Sequence, residues 1–129
     1  MGYKSYIEEA ERSLEEHDFP TFMEKIIISK YLTKDDPEQY KDVLAFYTKG
    51  LYKFNEYKKA YEVVKELIPM LEGEDKYLYT NTKGVLTGQL GDYQGAIKTF
   101  KKILDESEYP YITIKAINNI VWTYIYLYK

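Results

Sequence analysis

Few residues in this chain are placed for covalent chemistry. The single histidine, His17, stands beside Asp18. Its place at the end of a helical segment fits capping or simple exposure. The acidic pairs Glu8-Glu9, Glu15-Glu16 and Asp35-Asp36 are neighbours in sequence, and neighbours on a helix point apart, so none forms an acid–base couple. Cysteine is absent, which removes disulfides, thiolate nucleophiles and thiolate metal ligands, and one histidine cannot build a multi-histidine centre. Glycines 84, 88, 91 and 95 lack the spacing of a phosphate-binding loop behind a strand. The expectation is therefore a protein that is not an enzyme and carries no metal or cofactor.

Binding chemistry is better represented. Asn81 and Asn118 fall within helical patterns, where asparagine is a poor former and needs a reason. Its amide offers a donor and an acceptor that can pair with a peptide backbone. Lys49 and Lys53, one turn apart, could meet an acidic side chain or a terminal carboxylate, and could equally be a solvated face.

The elements that must position these groups are helices. Tyr57, Ala60, Tyr61, Val64, Leu67, Ile68 and Leu71 form one apolar stripe at three- and four-residue spacing, and Tyr93, Ala96, Ile97, Phe100, Ile103 and Leu104 form another. The two stripes repeat. Asn55-Glu56-Tyr57-Lys58-Lys59-Ala60 matches Gly91-Asp92-Tyr93-Gln94-Gly95-Ala96 at an offset of 36 (93 − 57), and His17-Asp18-Phe19-Pro20-Thr21-Phe22 lies 38 upstream (57 − 19). A period of this size marks a solenoid. Asp36-Pro37-Glu38-Gln39 reads as an N-cap, a first-turn proline and a capping-box glutamine. Gly73 falls where one helix should end, and Pro69 should kink or shorten its helix. The predicted helices are 3–16, 20–32, 37–53, 56–71, 75–90, 93–106 and 110–128, within a single domain 1–129.

On these motifs the chain resembles the tetratricopeptide repeat family over nearly its whole length. Gly84 stands at the family's small mid-helix residue, Gly91-Asp92-Tyr93 at its turn, Ala96 at the small residue beyond, and Phe100 at the aromatic one turn further. The middle copy keeps Tyr57 and Ala60 but has Asn55-Glu56 at the turn and Thr48 at the midpoint, with Gly50 two residues later. The first copy has Phe22 where alanine is expected. The resemblance implies an all-α, right-handed α-solenoid of about three hairpins (3–32, 37–71, 75–106) plus a terminal helix, about seven helices in all. It also implies a concave face formed by the first helix of each pair, which takes a protein or short peptide. Lys49, Tyr52 and Lys53, then Asn81, Val85 and Gln89, then Asn118, Trp122 and Tyr126 would lie on it. In style, the lysine-, tyrosine- and isoleucine-rich repeats are similar to sensor domains of Gram-positive peptide-pheromone receptors, which implies the sensor part of a bacterial regulator.

The last helix sets an alternative. Ile112, Ile114, Ile117, Ile120, Val121, Trp122, Tyr124, Ile125, Tyr126, Leu127 and Tyr128 are apolar nearly all round, and such a helix needs cover on more than one side. Either the chain forms a homodimer or docks through Trp122, Ile125 and Tyr128, or it is a fragment of a longer repeat protein. The composition fits a protein working among proteins. Net charge is −3 without an isolated lysine cluster, which argues against nucleic acid as a partner. No apolar run approaches the roughly 20 residues of a membrane span, and the first residues show no signal-like hydrophobic stretch. The expected location is the cytoplasm.

Overall fold

A computed structural model describes residues 2–127, and every regular element among them is helical. The helices are α1 (Tyr3–Glu15), α2 (Phe19–Thr33), α3 (Pro37–Lys53), α4 (Tyr57–Leu67), α5 (Gly73–Gln89), α6 (Tyr93–Glu106) and α7 (Pro110–Trp122). A 3₁₀ turn, Ile68–Met70, follows α4, and a π-helical turn, Thr123–Leu127, follows α7. About seven helices were expected, and seven are found among the described residues.

Three of the starts are written in the sequence by their caps. Asp18, Asp36 and Asp92 accept a hydrogen bond from the backbone N–H three residues on, at Thr21 (3.1 Å), Gln39 (3.2 Å) and Gly95 (2.9 Å), which satisfies an otherwise orphaned donor of the first turn. Pro69 acts as expected: α4 ends at Leu67 and the proline sits within the tighter turn. Gly73 behaves differently from the expectation. It opens α5 rather than closing α4, with φ of +61°, because the chain runs extended through Leu71 and Glu72 and must turn sharply into the helix.

The internal repeat reaches down to the backbone of the turns. His17, Asn55 and Gly91, equivalent in the three copies, all take left-handed φ values of 57°, 61° and 97°. In each copy the next residue's N–H reaches back five positions: Asp18 to Ser13 (2.8 Å), Glu56 to Leu51 (2.9 Å) and Asp92 to Thr87 (3.1 Å). The following helix then starts on that same residue's own carbonyl, with Phe22 donating to Asp18, Ala60 to Glu56 and Ala96 to Asp92. This is a Schellman ending used three times, with glycine in only one of them.

The chain divides into two compact units, Met1–Val63 and Val64–Lys129, with the boundary inside α4. In the first unit α1 packs on α2 and α2 on α3. Its centre is an aromatic cluster in which Phe22 meets Phe54 (centroids 5.4 Å apart), Phe46 (6.0 Å) and Tyr47 (6.3 Å), and Phe19 meets Phe54 edge-on at 5.1 Å. Phe22 replaces the expected alanine because α3 makes room for it. A Cβ on Gly50 would overlap the Phe22 ring, lying 3.2 Å from even its Cε1. In the second unit α5, α6 and α7 pack in sequence, and α5 also touches α7. Ala96, Phe100, Ile103, Ile112 and Ala116 form its core, edged by Tyr77, Leu78, Val85, Leu104, Tyr109 and Ile120. Burial of a side chain the size of Phe100 contributes about 1.5–3 kcal/mol.

Buried hydroxyls are all spent locally. Ser13, Ser29, Thr33, Thr48 and Thr123 each donate to the carbonyl four residues earlier, at 2.7–2.9 Å, so no buried side-chain polar atom among the described residues is left without a partner. No helix among them is long and apolar enough to cross a membrane.

Candidate functional site

The residues with nominal catalytic chemistry are dispersed. His17 is exposed at the α1–α2 corner. Hydrogen bonds from the Thr21 hydroxyl and N–H hold the Asp18 carboxyl below its usual range, which is the signature of a cap. Glu9 pairs with Lys25 at 3.1 Å, across α1 and α2. Among the described residues no three His, Asp or Glu side chains gather closely enough to hold a metal ion.

In the first unit, Lys49 and Lys53 are exposed on α3, while Tyr52 is half-buried. The Tyr52 ring packs on Tyr57 at 5.5 Å, and burial pushes its phenol up from the ordinary value. Tyr57 in turn donates its hydroxyl to the Asn55 side chain at 2.9 Å, fixing the left-handed corner. Tyr52 is thus a packing residue of the α3–α4 corner, with two solvated lysines nearby in sequence.

The second unit brings the remaining residues onto α5 and α7. Asn81 is buried, and its amide oxygen accepts from Asn119 Nδ2 at 3.0 Å. The reason for an asparagine in mid-helix is therefore an α5–α7 bridge, which uses the acceptor that a bound peptide would need. Val85 is half-buried at the edge of the core, and Gln89 is exposed at the end of α5. Asn118 is exposed, and its neighbour Asn119 makes the helix–helix contact instead.

Beyond Asn118 the surface is apolar. Trp122 and Tyr126, one turn apart, pack in a tilted arrangement, centroids 4.5 Å apart and planes at 40°, while remaining 51% and 58% exposed. Ile125 is 55% exposed, and Tyr128 lies outside the described residues. Ile114, Ile117, Val121 and Tyr124, absent from the expected contact set, are exposed as well. Their signal was the inward row of this segment: Ile112, Ala116 and Thr123 are buried, small or β-branched residues at steps of four and seven, and the residues opposite that row face out.

The expected continuous helix 110–128 is interrupted. Thr123 sends both its hydroxyl (2.7 Å) and its N–H to the Asn119 carbonyl, a double demand that bends helices, and it opens the wider π turn Thr123–Leu127. Leu127, at the end of that turn, is half-buried against α5, where a Cβ on Gly88 would lie 3.3 Å from its Cδ1. Such π turns frequently accompany functional surfaces. Comparison with protein-family models, with curated proteins and with solved structures finds no match for the chain.

Proposed function

We propose that this chain is a non-enzymatic scaffold of tetratricopeptide type, a right-handed α-solenoid of hairpins that holds a protein or peptide segment. The segment lies along the outer side of α7 and the end of α5. The observation that supports this reading is the row Asn118, Trp122 and Tyr126, spaced by four and exposed throughout. A packed Trp–Tyr pair presents a stiff apolar platform with little rotamer entropy to lose, the usual anchor of a binding hot spot. An exposed amide beside it can pair with a peptide backbone. As the sensor part of a bacterial regulator in the cytoplasm, such a face would read a short peptide.

Trp122 is the only tryptophan, so its fluorescence reports on the platform directly. Peptides selected on the chain from a random display library should shift that emission, and Asn118→Ala and Tyr126→Ala should each weaken them by about tenfold. Selected peptides that bind both variants as well as the parent would remove this face from the reading.

A second reading is self-association through α7, favoured by the exposed Ile114, Ile117, Val121, Trp122 and Ile125. It requires a dimer in sedimentation that Trp122→Glu converts to a folded monomer. A parent chain that is monomeric at about 100 μM, well above the range of a stable homodimer, ends it.

A further inference from the structure

A cleft of about 290 Å³ opens between α5 and α6, on residues that the interaction face of α7 does not use. Its floor is Ile68, Tyr77 and Ile103, and its walls carry Lys76 and Lys83 from α5 and Lys98 and Lys102 from α6. Glu106 is the one carboxylate of the lining. No carboxylate among the described residues lies within ion-pair distance of any of the four lysines. The Thr80 and Thr99 hydroxyls at its edge already donate to the Lys76 and Gly95 carbonyls, which leaves the ammonium groups as the donors available to a ligand.

We infer that this cleft binds an acidic peptide segment, whose carboxylates pair with a ladder of four lysines. Spacing selects the ligand. Lys76 and Lys83 are seven residues apart, about 10 Å along the axis, and Lys98 and Lys102 are about 6 Å apart. The antiparallel register, fixed by Gly84 against Phe100 and Tyr77 against Glu106, sets Lys83 level with the Lys98–Lys102 turn. Charge is therefore distributed along the groove rather than focused at one point. A compact phosphate needs converging donors, whereas an extended chain rises about 3.3 Å per residue and carries acidic side chains at about 7 or 10 Å intervals. Lysine, a flexible point charge, suits carboxylates arriving in sequence and lacks the fork that arginine offers a phosphate. The apolar floor accommodates the aliphatic stems of the ligand. On a chain of net charge −3, this patch is a local reversal that attracts acidic segments which the remaining surface repels.

The test is fluorescence anisotropy with a labelled peptide of alternating Glu and Ala at about 50 mM salt, where screening is modest. The double variant Lys83→Gln/Lys102→Gln should lose about three- to tenfold in affinity, as two exposed ion pairs predict. Lys4→Gln/Lys115→Gln, which removes equal charge outside the cleft, should lose less than twofold. Trp122→Ala should leave this binding unchanged, which separates it from the α7 face. Equal losses in both double variants would reduce the effect to net charge and overturn the assignment. So would tripolyphosphate or a single-stranded oligonucleotide binding as tightly as the peptide at matched charge, or no binding of the peptide at all.

Discussion

Gly84 and Gly88 offer an internally controlled test of how α5 meets α6. Both are buried in the same helix, so alanine at either gains about 1 kcal/mol of helix propensity. What the new methyl meets differs. At Gly88 a Cβ would sit 3.5 Å from the Ala96 Cβ and 3.3 Å from the Leu127 Cδ1, an ordinary contact and the tip of a side chain that can move. At Gly84 it would fall onto the Phe100 ring, 2.8 Å from Cζ and 2.9 Å from Cδ1. That ring is 1% exposed and enclosed by Ala96, Ile103, Ile112 and Ala116, so it has nowhere to swing. Overpacking of this kind costs about 1–3 kcal/mol. Propensity cancels between the two variants, so Gly88→Ala should be the more stable by about 1–3 kcal/mol, or some 4 °C in Tm for each kcal/mol. Urea unfolding followed by Trp122 emission reads this unit specifically. In a Phe100→Leu background the penalty at Gly84 should shrink, giving a favourable coupling of about 1 kcal/mol. A Gly84→Ala variant as stable as Gly88→Ala would refute the packing of Phe100 on the α5 backbone.

Two further outcomes follow from the corners. Gly91→Ala should lose about 1–2 kcal/mol for torsion alone, since its Cβ would meet nothing within 4 Å, whereas His17→Gly should gain up to about 1 kcal/mol; thermal melts that place Gly91→Ala level with the parent would contradict the left-handed corner. The Asp18 carboxyl is held down by the Thr21 hydrogen bonds, so its contribution is complete above the unfolded value near 3.8 and fades as pH falls through the lower folded one. Asp18→Asn keeps an acceptor and does not titrate. Its urea midpoint should lie below that of the parent at neutral pH, and the gap should narrow as pH falls below the unfolded value and through the lower folded one; a gap that stays constant throughout the acid range would remove the charge from the account of the cap.

Much of the architecture was legible because helix periodicity and caps are local. Asp36-Pro37 and Asp92 announce their helices in four letters, and Pro69 announces an end by lacking a donor. What escaped was set by partners distant in sequence or by local backbone choices that carry no letter of their own. Gly73 looked like a terminator, yet the extended Leu71–Glu72 link makes it an entry. Phe22 looked like a degenerate repeat residue until Gly50 supplied its space from another helix. Asn81 carried a signal of being needed, but only the placement of Asn119 shows that the need is a bridge. The π turn hinges on a hydroxyl choosing a carbonyl, a competition that periodicity does not register.

The three corners at His17, Asn55 and Gly91 differ in every letter yet share one torsional signature. The bend is therefore carried by shape rather than spelling: the same backbone hydrogen bonds close it each time, and the residue at the apex merely tolerates it to a greater or lesser degree. Substitutions can accumulate there at a cost of no more than about 1–2 kcal/mol while the turn keeps its form. Kinship among such chains is consequently better sought in the rhythm of backbone reversals than in matching residues.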